Sequence, residues 1–316
     1  MSSEEARKVI IIGGGPSGYT SAIYAGRANL DPLVIAGYQA GGQLILTTEV
    51  ENFPGFPKGI MGPVLMEHMR EQAERFGSEI INEDVESVDF SQKPFIIKTY
   101  DKTYKAHSVI ITTGASARWL GLENEKELIG SGWSSCATCD GAFFKDKIVA
   151  TIGGGDSAME EATFLTRYAK KVYLIHRRDE FRASKTMQQR ALSNPKIEVI
   201  YNSVVTKLFS EKDGFIQKLT GIEIENQNTG EKSQLSIDGG FVAIGHTPNT
   251  KIFDNQIELD TSGYIITKQH TMTSVEGVFA AGDVVDTRYR QAITAAGDGC
   301  RAAIDAEKWL TDNNLD

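Results

Sequence analysis

The chain has 316 residues and a formal net charge of −9 at pH 7, and 41% of its residues are hydrophobic. This length predicts two globular domains, because one hydrophobic core rarely serves so many residues. The acidic balance argues against a nucleic-acid partner, and no apolar run approaches the roughly 18 residues of a membrane span. Since cysteines are scarce and a charged N-terminus leads directly into a strand pattern, we expect a cytoplasmic protein.

A strand–helix–strand (βαβ) unit is predicted at the start of the chain. The pattern predicts a buried strand at Lys8–Ile12, a helix that extends to about Ala28, and a second strand at Leu33–Ile35. The turn between the first strand and the helix reads Gly13-Gly14-Gly15-Pro16-Ser17-Gly18. Glycines at this spacing allow a tight turn, close approach of a pyrophosphate to the backbone and packing of helix on strand. The unit therefore predicts a dinucleotide site, although such turns also occur for steric reasons alone.

A pair of cysteines lies in the segment Ser134–Phe144, which reads SSCATCDGAFF. A tetrahedral zinc site needs four ligands, and neither Cys300 nor the singly scattered histidines complete one. We therefore predict that Cys136 and Cys139 form a reversible redox disulfide and that no metal is bound. Asp140, directly after the pair, is either a turn residue or an acid and base for the thiol chemistry.

Two adjacent phenylalanines, Phe143 and Phe144, follow the cysteines. Neighbouring side chains cannot both point into the same side of a strand or turn, so at least one is a candidate for exposure beside the dithiol. An exposed aromatic ring there would be available to a protein partner. The alternative is that both rings pack between layers of the domain.

The βαβ pattern returns in the middle of the chain. A strand at Lys147–Ile152 precedes the turn Gly153-Gly154-Gly155-Asp156-Ser157-Ala158, a helix that extends to Tyr168 and a strand at Val172–His176. Ala158 takes the third small position, where a helix packs on a strand. One glycine turn is weak support for a nucleotide site, but two turns in full strand–turn–helix context predict two sites.

A basic segment, His176-Arg177-Arg178-Asp179-Glu180-Phe181-Arg182, begins at the end of this second strand. An NAD site would offer an acid to the ribose at this place, whereas three arginines suit the 2′-phosphate of NADPH. The sequence therefore favours NADPH over NADH, and the alternative is a solvated basic strand end. In the first unit the corresponding strand ends at Ala36-Gly37 without an acid, which leaves open how the ribose is held there.

Strand endings also mark the expected domain boundaries. Strand patterns end at Thr113 and Ile244, each directly before a glycine, and we interpret both endings as crossings between domains. The predicted fold class is α/β, with two Rossmann-like dinucleotide-binding domains and the second inserted into the first. Residues 1–117 and 248–316 form the first domain, and residues 118–247 form the second, which carries the cysteine pair. Alternation between residues 214 and 234 predicts an antiparallel appendage.

The two glycine turns, the cysteine pair and the basic segment occur in an order that resembles the low-molecular-weight thioredoxin reductases, a family of flavoprotein disulfide reductases. The resemblance extends over essentially the whole chain. The segments that carry the resemblance are GGGPSG from Gly13, GGQL from Gly41, TTEVENFPGF from Thr47, CATCDG from Cys136, GGGDSAMEEA from Gly153, HRRDEFRAS from His176, IGHTPNT from Ile244, AAGDV from Ala280 and RQAITAAGDGCRAA from Arg290.

The resemblance implies FAD in the first domain and NADPH in the second. The residues it implies for FAD are Gly13, Gly14, Gly15, Pro16, Ser17, Gly18, Gly42, Gln43, Asn52, Val85, Asp283, Arg290, Gln291 and Ala292. The residues it implies for NADPH are Gly153, Gly155, Asp156, Ser157, His176, Arg177, Arg178 and Arg182. The catalytic residues that it implies are Cys136, Cys139 and Asp140.

The implied reaction is reduction of thioredoxin by NADPH through FAD and the disulfide. The resemblance assigns Cys139 as the sulfur nearer the flavin and Cys136 as the sulfur that attacks thioredoxin. It makes Asp140 the acid and base, provided that its pKa is raised towards neutrality. It also implies a homodimer.

A last amphipathic helix is predicted over Arg290–Leu310. Gly297 and Gly299 would allow it to pack closely, and Cys300 is interpreted as a buried bystander. Its N-terminus either points at the flavin, where its dipole would stabilise the reduced ring, or takes part in plain core packing.

The order of the parts predicts motion. The disulfide and the NADPH site share the inserted domain, and each must come close to one flavin, to roughly 3–3.5 Å for hydride transfer. They cannot occupy that place together, so we predict rotation of residues 118–247 about connections near Gly114–Arg118 and Gly245–Asn249.

Two other functions stay open. One is a flavin enzyme of the same fold that passes electrons to another acceptor, such as ferredoxin or a small dithiol. The intact CATCDG and HRR segments argue against it. The other is a redox sensor without enzymatic activity, which NADPH turnover with excess disulfide would exclude.

Overall fold

The computed structural model describes residues 5–47, 49–214 and 216–315. The strands, in chain order, are β1 Arg7–Ile12, β2 Leu33–Ile35, β3 Glu49–Val50, β4 Ile60–Met61, β5 Glu79–Ile81, β6 Val85–Asp89, β7 Phe95–Thr99, β8 Thr103–Ile111, β9 Ala115–Ala117, β10 Trp133–Ser134, β11 Ile148–Gly153, β12 Lys171–Ile175, β13 Ile197–Ile200, β14 Ser203–Asp213, β15 Ile216–Asn226, β16 Lys232–Ser236, β17 Gly239–Ala243, β18 His246–Pro248 and β19 Val278–Ala280.

The α-helices are α1 Pro16–Arg27, α2 Gly62–Arg75, α3 Glu125–Leu128, α4 Ala137–Asp140, α5 Asp156–Leu165, α6 Lys185–Leu192 and α7 Ala292–Asp312. Short 3-10 helices cover Gly42–Leu46, Gly141–Phe144 and Lys251–Phe253. In the part of the chain that the structure describes, no helix is both long and apolar enough to cross a membrane.

The chain divides into two compact units. Unit 1 comprises the chain up to Ser116 together with the chain from Thr247 onward, and unit 2 is Ala117–His246. The predicted crossings, after residues 117 and 247, each lie one residue later than the crossings between these units. Which nucleotide each unit holds stays a prediction.

Unit 1 is built on a mainly parallel sheet in the order β5-β2-β1-β8, and β19 continues it on the far side of β8. The long strand β8 also pairs with β7 near its start, and β6 extends that antiparallel edge. Along β1, Val9 and Ile11 pack with residues of α1 and α7, whereas Ile10 and Ile12 pack into a second apolar cluster on the other face. Burial on both faces explains why β1 is a continuous apolar run.

Unit 2 contains a parallel sheet in the order β10-β17-β11-β12-β13 and an antiparallel sheet in the order β14-β15-β16. One face of the parallel sheet packs on α5, through residues such as Met159 and Leu165. The other face packs on the antiparallel sheet, through residues such as Leu208 and Ile222. The antiparallel sheet is the predicted appendage, and it begins earlier than expected, at Ser203.

The two segments that join the units run side by side, because β9 and β18 pair with each other. The Thr113 hydroxyl donates to the Asn249 carbonyl at 2.8 Å, and the Asn249 side-chain amide donates to the Thr113 carbonyl at 2.8 Å. Gly114 and Gly245 adopt φ values of +69° and +98°, a region that favours glycine. Both connections therefore contain a residue that tolerates large backbone rotations.

Helices α1 and α7 approach each other closely. A Cβ atom at Gly299 would lie closer than 3.0 Å to the backbone of Ser17, and the Ser21 hydroxyl donates to the Gly299 carbonyl at 3.0 Å. The predicted packing role is therefore correct for Gly299. It is wrong for Gly297, where a Cβ atom would meet nothing within 4 Å. Cys300, predicted to be buried, is half-buried.

We expect Gly299→Ala to destabilise the protein by about 1–3 kcal/mol, because the added methyl group forces the two helices apart. The matched control is Gly297→Ala in the same helix, which should be neutral or stabilising by up to about 1 kcal/mol, the difference in helix propensity. Urea unfolding followed by circular dichroism measures both changes. Equal stabilities of the two variants would show that the helix contact does not depend on Gly299.

Candidate functional site

The cysteine pair lies at the start of the short helix α4 in unit 2. Cys136 and Cys139 form a disulfide, with their Cα atoms 5.3 Å apart. Cys136 is the N-cap of α4, and the backbone N–H of Cys139 donates to its sulfur at 3.2 Å. Cys139 is exposed and Cys136 is half-buried. The predicted disulfide is confirmed, while the roles of its two sulfurs stay predictions.

The carboxyl group of Asp140 lies at the other end of this helix. Burial raises its pKa above the ordinary range, and a hydrogen bond with the Ser134 side chain opposes that rise. The direction of the change is the one that an acid and base near neutral pH requires. The prediction of no metal stays untested, and among the described residues no cluster of three potential ligands is found.

The strand before the cysteines is held by a buried carboxylate. Glu125 is 3% exposed and accepts hydrogen bonds from the backbone N–H groups of Leu120, Gly121 and Leu122. It also accepts one from the indole nitrogen of Trp133 at 3.0 Å. Sequence reasoning missed Glu125, because a glutamate in the charged stretch ENEKE is typical of a solvated surface. It also gave no role to Ser134.

The two phenylalanines after the dithiol have different environments. Phe143 is 41% exposed, whereas Phe144 packs edge to face on Phe241 with ring centroids 5.3 Å apart. Phe144 also lies over Gly239, where a Cβ atom would clash with its ring. The prediction that at least one ring is exposed is confirmed, and docking of a partner stays a prediction.

The glycine turn of unit 1 joins β1 to α1. A Cβ atom at Gly13 would overlap the Thr112 carbonyl, and one at Gly18 would overlap the Gly13 carbonyl, so the packing of strand and helix excludes side chains at both places. Gly15 is the N-cap of α1, and a Cβ atom there would meet nothing within 4 Å. The backbone at Gly15 therefore has open space beside it, at the helix N-terminus where a pyrophosphate would bind.

The structure brings several of the other predicted FAD residues together. Gly42 lies beside Gly15, with 3.6 Å between a Cβ atom placed on Gly42 and the Gly15 Cα. The Asn52 amide donates to the Gln291 side chain at 3.3 Å, and Gln291 is the N-cap of α7. The remaining predicted residues in this unit are Gly14, packed on Ala36; Pro16 and Ser17, in the first turn of α1; Gln43, exposed in a 3-10 helix; Val85, half-buried at the start of β6; and Ala292, the first residue of α7.

Polar atoms without partners mark this part of unit 1. Among the described residues, Asp283 Oδ1, Arg290 Nε and Ser17 Oγ are buried and have no hydrogen-bond partner. A Cβ atom at Gly282 would touch Ser17, so Asp283 and Ser17 belong to one region. Burial is the largest influence on Asp283 and, with repulsion from Asp286, raises its pKa to about 7. Unpaired buried polar groups are costly, so these atoms fit a polar ligand such as FAD.

The glycine turn of unit 2 repeats this construction between β11 and α5. A Cβ atom at Gly153 would overlap the Ala243 carbonyl, whereas one at Gly155 would meet nothing within 4 Å. The backbone N–H of Arg182 donates to the Gly154 carbonyl at 2.9 Å, and the Asp156 carboxylate accepts from the Ser184 N–H at 2.7 Å. The basic segment thus folds back onto the turn. The predicted residue Ser157 is exposed in the first turn of α5.

The basic segment presents its charges to solvent. Arg177, Arg178 and Arg182 are exposed, and none of them takes part in an ion pair among the described residues. His176 is buried, with Nε2 at 2.9 Å from the Glu180 carbonyl oxygen. Burial, the largest influence, lowers the pKa of His176 and so disfavours its charged form. The three guanidinium groups are available to an anion such as a phosphate.

Comparison with known proteins places the chain in a family. A model of the family "Pyridine nucleotide-disulphide oxidoreductase" matches residues 7–299. The chain is 53% identical to the thioredoxin reductase of Mycolicibacterium smegmatis, over 99% of each chain. It is 53% identical to NADPH-dependent thioredoxin reductase 3 of Arabidopsis thaliana over 99% of its own length, and it spans 60% of that relative.

The fold is also similar to that of a solved thioredoxin reductase structure. The thioredoxin reductase from Giardia duodenalis superposes with a TM-score of 0.90 at 46% identity, covering 96% of this chain and 98% of that one. The chain therefore belongs to the pyridine nucleotide-disulphide oxidoreductases and, among them, to the thioredoxin reductases. The predicted resemblance and the predicted α/β class with two dinucleotide-binding folds are confirmed.

Proposed function

We propose that this protein reduces the disulfide of oxidised thioredoxin with electrons from NADPH. The single observation that carries the proposal is the Cys136–Cys139 disulfide at a helix N-cap, in a chain with two dinucleotide turns. The family to which the chain belongs uses FAD and NADPH. When bound, NADPH supplies a hydride and FAD converts it into the electron pair that a disulfide can accept.

FAD belongs, in this proposal, to the domain formed by residues 1–117 and 248–316. The open backbone at Gly15 and the N-terminus of α1 suit its pyrophosphate. Asp283 and Arg290 have buried polar atoms that the hydroxyl and phosphate groups of a flavin nucleotide would satisfy. NADPH belongs to residues 118–247, where Gly155 is open and the exposed Arg177 and Arg178 suit a 2′-phosphate.

The dithiol performs the exchange with thioredoxin in three steps. Two electrons and one proton convert the disulfide into a thiolate at Cys136 and a thiol at Cys139. The Cys136 thiolate attacks the thioredoxin disulfide and forms a mixed disulfide, and the thioredoxin thiolate that leaves takes a proton from Asp140. Asp140 then accepts the proton of the Cys139 thiol, and the new Cys139 thiolate attacks Cys136, which re-forms the enzyme disulfide and releases reduced thioredoxin.

The geometry around Cys136 favours it as the attacking sulfur. The Cys139 N–H that donates to Cys136 Sγ at 3.2 Å would stabilise a negative charge there after reduction. A thiolate is the nucleophile in disulfide exchange, so stabilising its charge increases the fraction that can react. Cys136 is half-buried in this structure, and attack on a protein disulfide needs its sulfur to be accessible. The proposed rotation of residues 118–247 between the two half-reactions rests on the order of the parts, because the disulfide and the NADPH site share that domain and each must reach the one flavin.

Three further expectations accompany this function. Thioredoxin would dock beside the dithiol, where Phe143 offers an exposed ring. We also propose a homodimer and a cytoplasmic location, as the resemblance and the composition indicate. The CATCDG and HRR segments of this chain disfavour another electron acceptor, and NADPH turnover with excess disulfide would exclude a sensor without enzymatic activity.

For the thiols, we expect Cys136→Ser to abolish thioredoxin reduction while NADPH still reduces the flavin, because only the attacking sulfur is lost. Cys139→Ser should instead trap a mixed disulfide between Cys136 and thioredoxin. Mass spectrometry under non-reducing conditions identifies the linked cysteine, and Cys300→Ser serves as the control that keeps full activity. A trapped adduct that forms through Cys139 and never through Cys136 would reverse the two roles.

For the cofactor, we expect the double change Arg177→Ala and Arg178→Ala to weaken NADPH binding far more than NADH binding. Each charge-assisted contact with a phosphate is worth about 1.5–3 kcal/mol. The matched control is Arg190→Ala, an exposed arginine on α6 of the same unit, which should change neither affinity. The KM values for both coenzymes decide the question. Equal losses for NADPH and NADH would overturn the assignment of the arginines.

For the rotation, we expect a chemical cross-link between the two units to block one half-reaction while the other persists. Peptide mass spectrometry verifies that the link joins the units, and molecules linked only within one unit are the control. Stopped-flow absorbance of the flavin separates its reduction by NADPH from its reoxidation by the disulfide. Full turnover in a molecule with a verified link between the units would contradict the proposed rotation.

A further inference from the structure

The carboxylate of Glu125 joins two segments of unit 2 that are separated in sequence. Its Oε1 accepts hydrogen bonds from the backbone N–H of Leu120 and from the indole nitrogen of Trp133, each at 3.0 Å. Its Oε2 accepts from the backbone N–H groups of Gly121 and Leu122 at 2.6 and 3.2 Å. The residue is 3% exposed, so these N–H donors take the place of water around its charge.

One of the two segments is the entry of the chain into unit 2. Strand β9 ends at Ala117, which is the first residue of that unit. The next residue, Arg118, donates its backbone N–H to the carbonyl of Gly245 in the other connection at 3.0 Å. Residues 120–122, which donate to Glu125, follow directly after this point. Glu125 therefore anchors the first turn of unit 2 after the connection.

The other segment leads to the disulfide. Trp133 and Ser134 form β10, which pairs with β17, and Trp133 is fully buried over Gly240, where a Cβ atom would overlap its ring. The hydroxyl oxygen of Ser134 accepts a hydrogen bond from the backbone N–H of Cys136 at 3.0 Å. Cys136 is in turn the N-cap of the short helix α4. A continuous series of contacts thus leads from Glu125 to the sulfur that is proposed to attack thioredoxin.

We infer that Glu125 is a positioning residue of the dithiol site, whose carboxylate fixes the strand before the disulfide to the segment by which the chain enters unit 2. The inference rests on the proposed function, in which the disulfide moves towards and away from the flavin. A disulfide attached in this way follows the movement of the connection, whereas one on a free loop would not keep a defined position. Glu125 acts through Trp133 and its strand, and it belongs neither to the cysteine motif nor to a dinucleotide turn.

The hydrogen-bonding pattern explains why this position needs a glutamate. An ionised carboxylate offers only acceptors, and each oxygen of Glu125 meets two N–H donors. A glutamine of the same size would turn an NH₂ group towards two of these donors and lose both hydrogen bonds. Buried donors without partners are costly. Helix α3, which Glu125 begins, is a single turn and cannot hold the segment by itself.

The test compares Glu125→Gln with Glu127→Gln in the flavin-loaded enzyme. Glu127 lies on the same helix, is exposed and forms no ion pair in the described part of the chain, so the control makes the same chemical change without the buried contacts. NADPH oxidation is measured with thioredoxin and with ferricyanide, which takes electrons from the flavin without the disulfide.

We expect the ratio of the thioredoxin rate to the ferricyanide rate to fall about tenfold in Glu125→Gln and to stay unchanged in Glu127→Gln. A general loss of folding would lower both rates together, because the predicted NADPH site lies in the same unit. Trp133→Phe is a second variant, which removes only the indole donor and should lower the same ratio. Adding it to Glu125→Gln should change little further, because both remove one shared contact.

Amide hydrogen exchange separates this inference from the proposed function, because it needs neither NADPH nor thioredoxin. Faster exchange of residues 134–140 in Glu125→Gln than in Glu127→Gln, together with the lower ratio, supports the inference. Equal exchange in the two variants, or an unchanged ratio in Glu125→Gln, overturns it even if thioredoxin is the substrate. A wild-type enzyme that leaves thioredoxin oxidised overturns the proposed function and this inference together, and the wild-type assay identifies that case.

Discussion

The absence of room for a side chain at two strand-to-helix turns is the constraint on which the rest of the structure depends. At Gly13 and Gly153 a carbonyl of a neighbouring strand segment occupies the place of a Cβ atom. Each helix can therefore begin directly after its strand, and the backbone at its N-cap, Gly15 or Gly155, has open space beside it. The same steric solution, used once in each unit, creates two places where an anionic nucleotide can bind.

The redox chemistry depends on a different kind of support. The disulfide lies on a helix of one turn, which has little stability of its own. Its geometry comes from the buried strand before it, where Trp133 and Glu125 form a hydrogen bond inside an apolar cluster. The short helix that carries the redox disulfide thus follows directly after a buried, hydrogen-bonded strand. This arrangement fixes the point in the fold at which the short disulfide helix begins.

Much of the fold could be predicted from the sequence, because the spacing of apolar residues indicates which positions of a strand or helix are buried. Strand Leu33–Ile35 was predicted with its observed limits, and both βαβ units and the disulfide were found. The failures concern contacts that no pattern records. Glu125 resembles a surface residue until the fold supplies its four donors, and Gly297 differs from Gly299 only in the direction that it faces. The surroundings of Asp283 likewise depend on a distant segment, because its neighbour Gly282 packs on Ser17.

The most direct test of the account is an anaerobic assay on protein whose bound flavin has been verified by its absorbance. NADPH oxidation is followed with and without oxidised thioredoxin, and the thiols formed on thioredoxin are counted. The account predicts sustained oxidation only with thioredoxin, with one NADPH consumed for each thioredoxin disulfide reduced. NADPH oxidation that proceeds at the same rate without thioredoxin, or that leaves the thioredoxin disulfide intact, would contradict it.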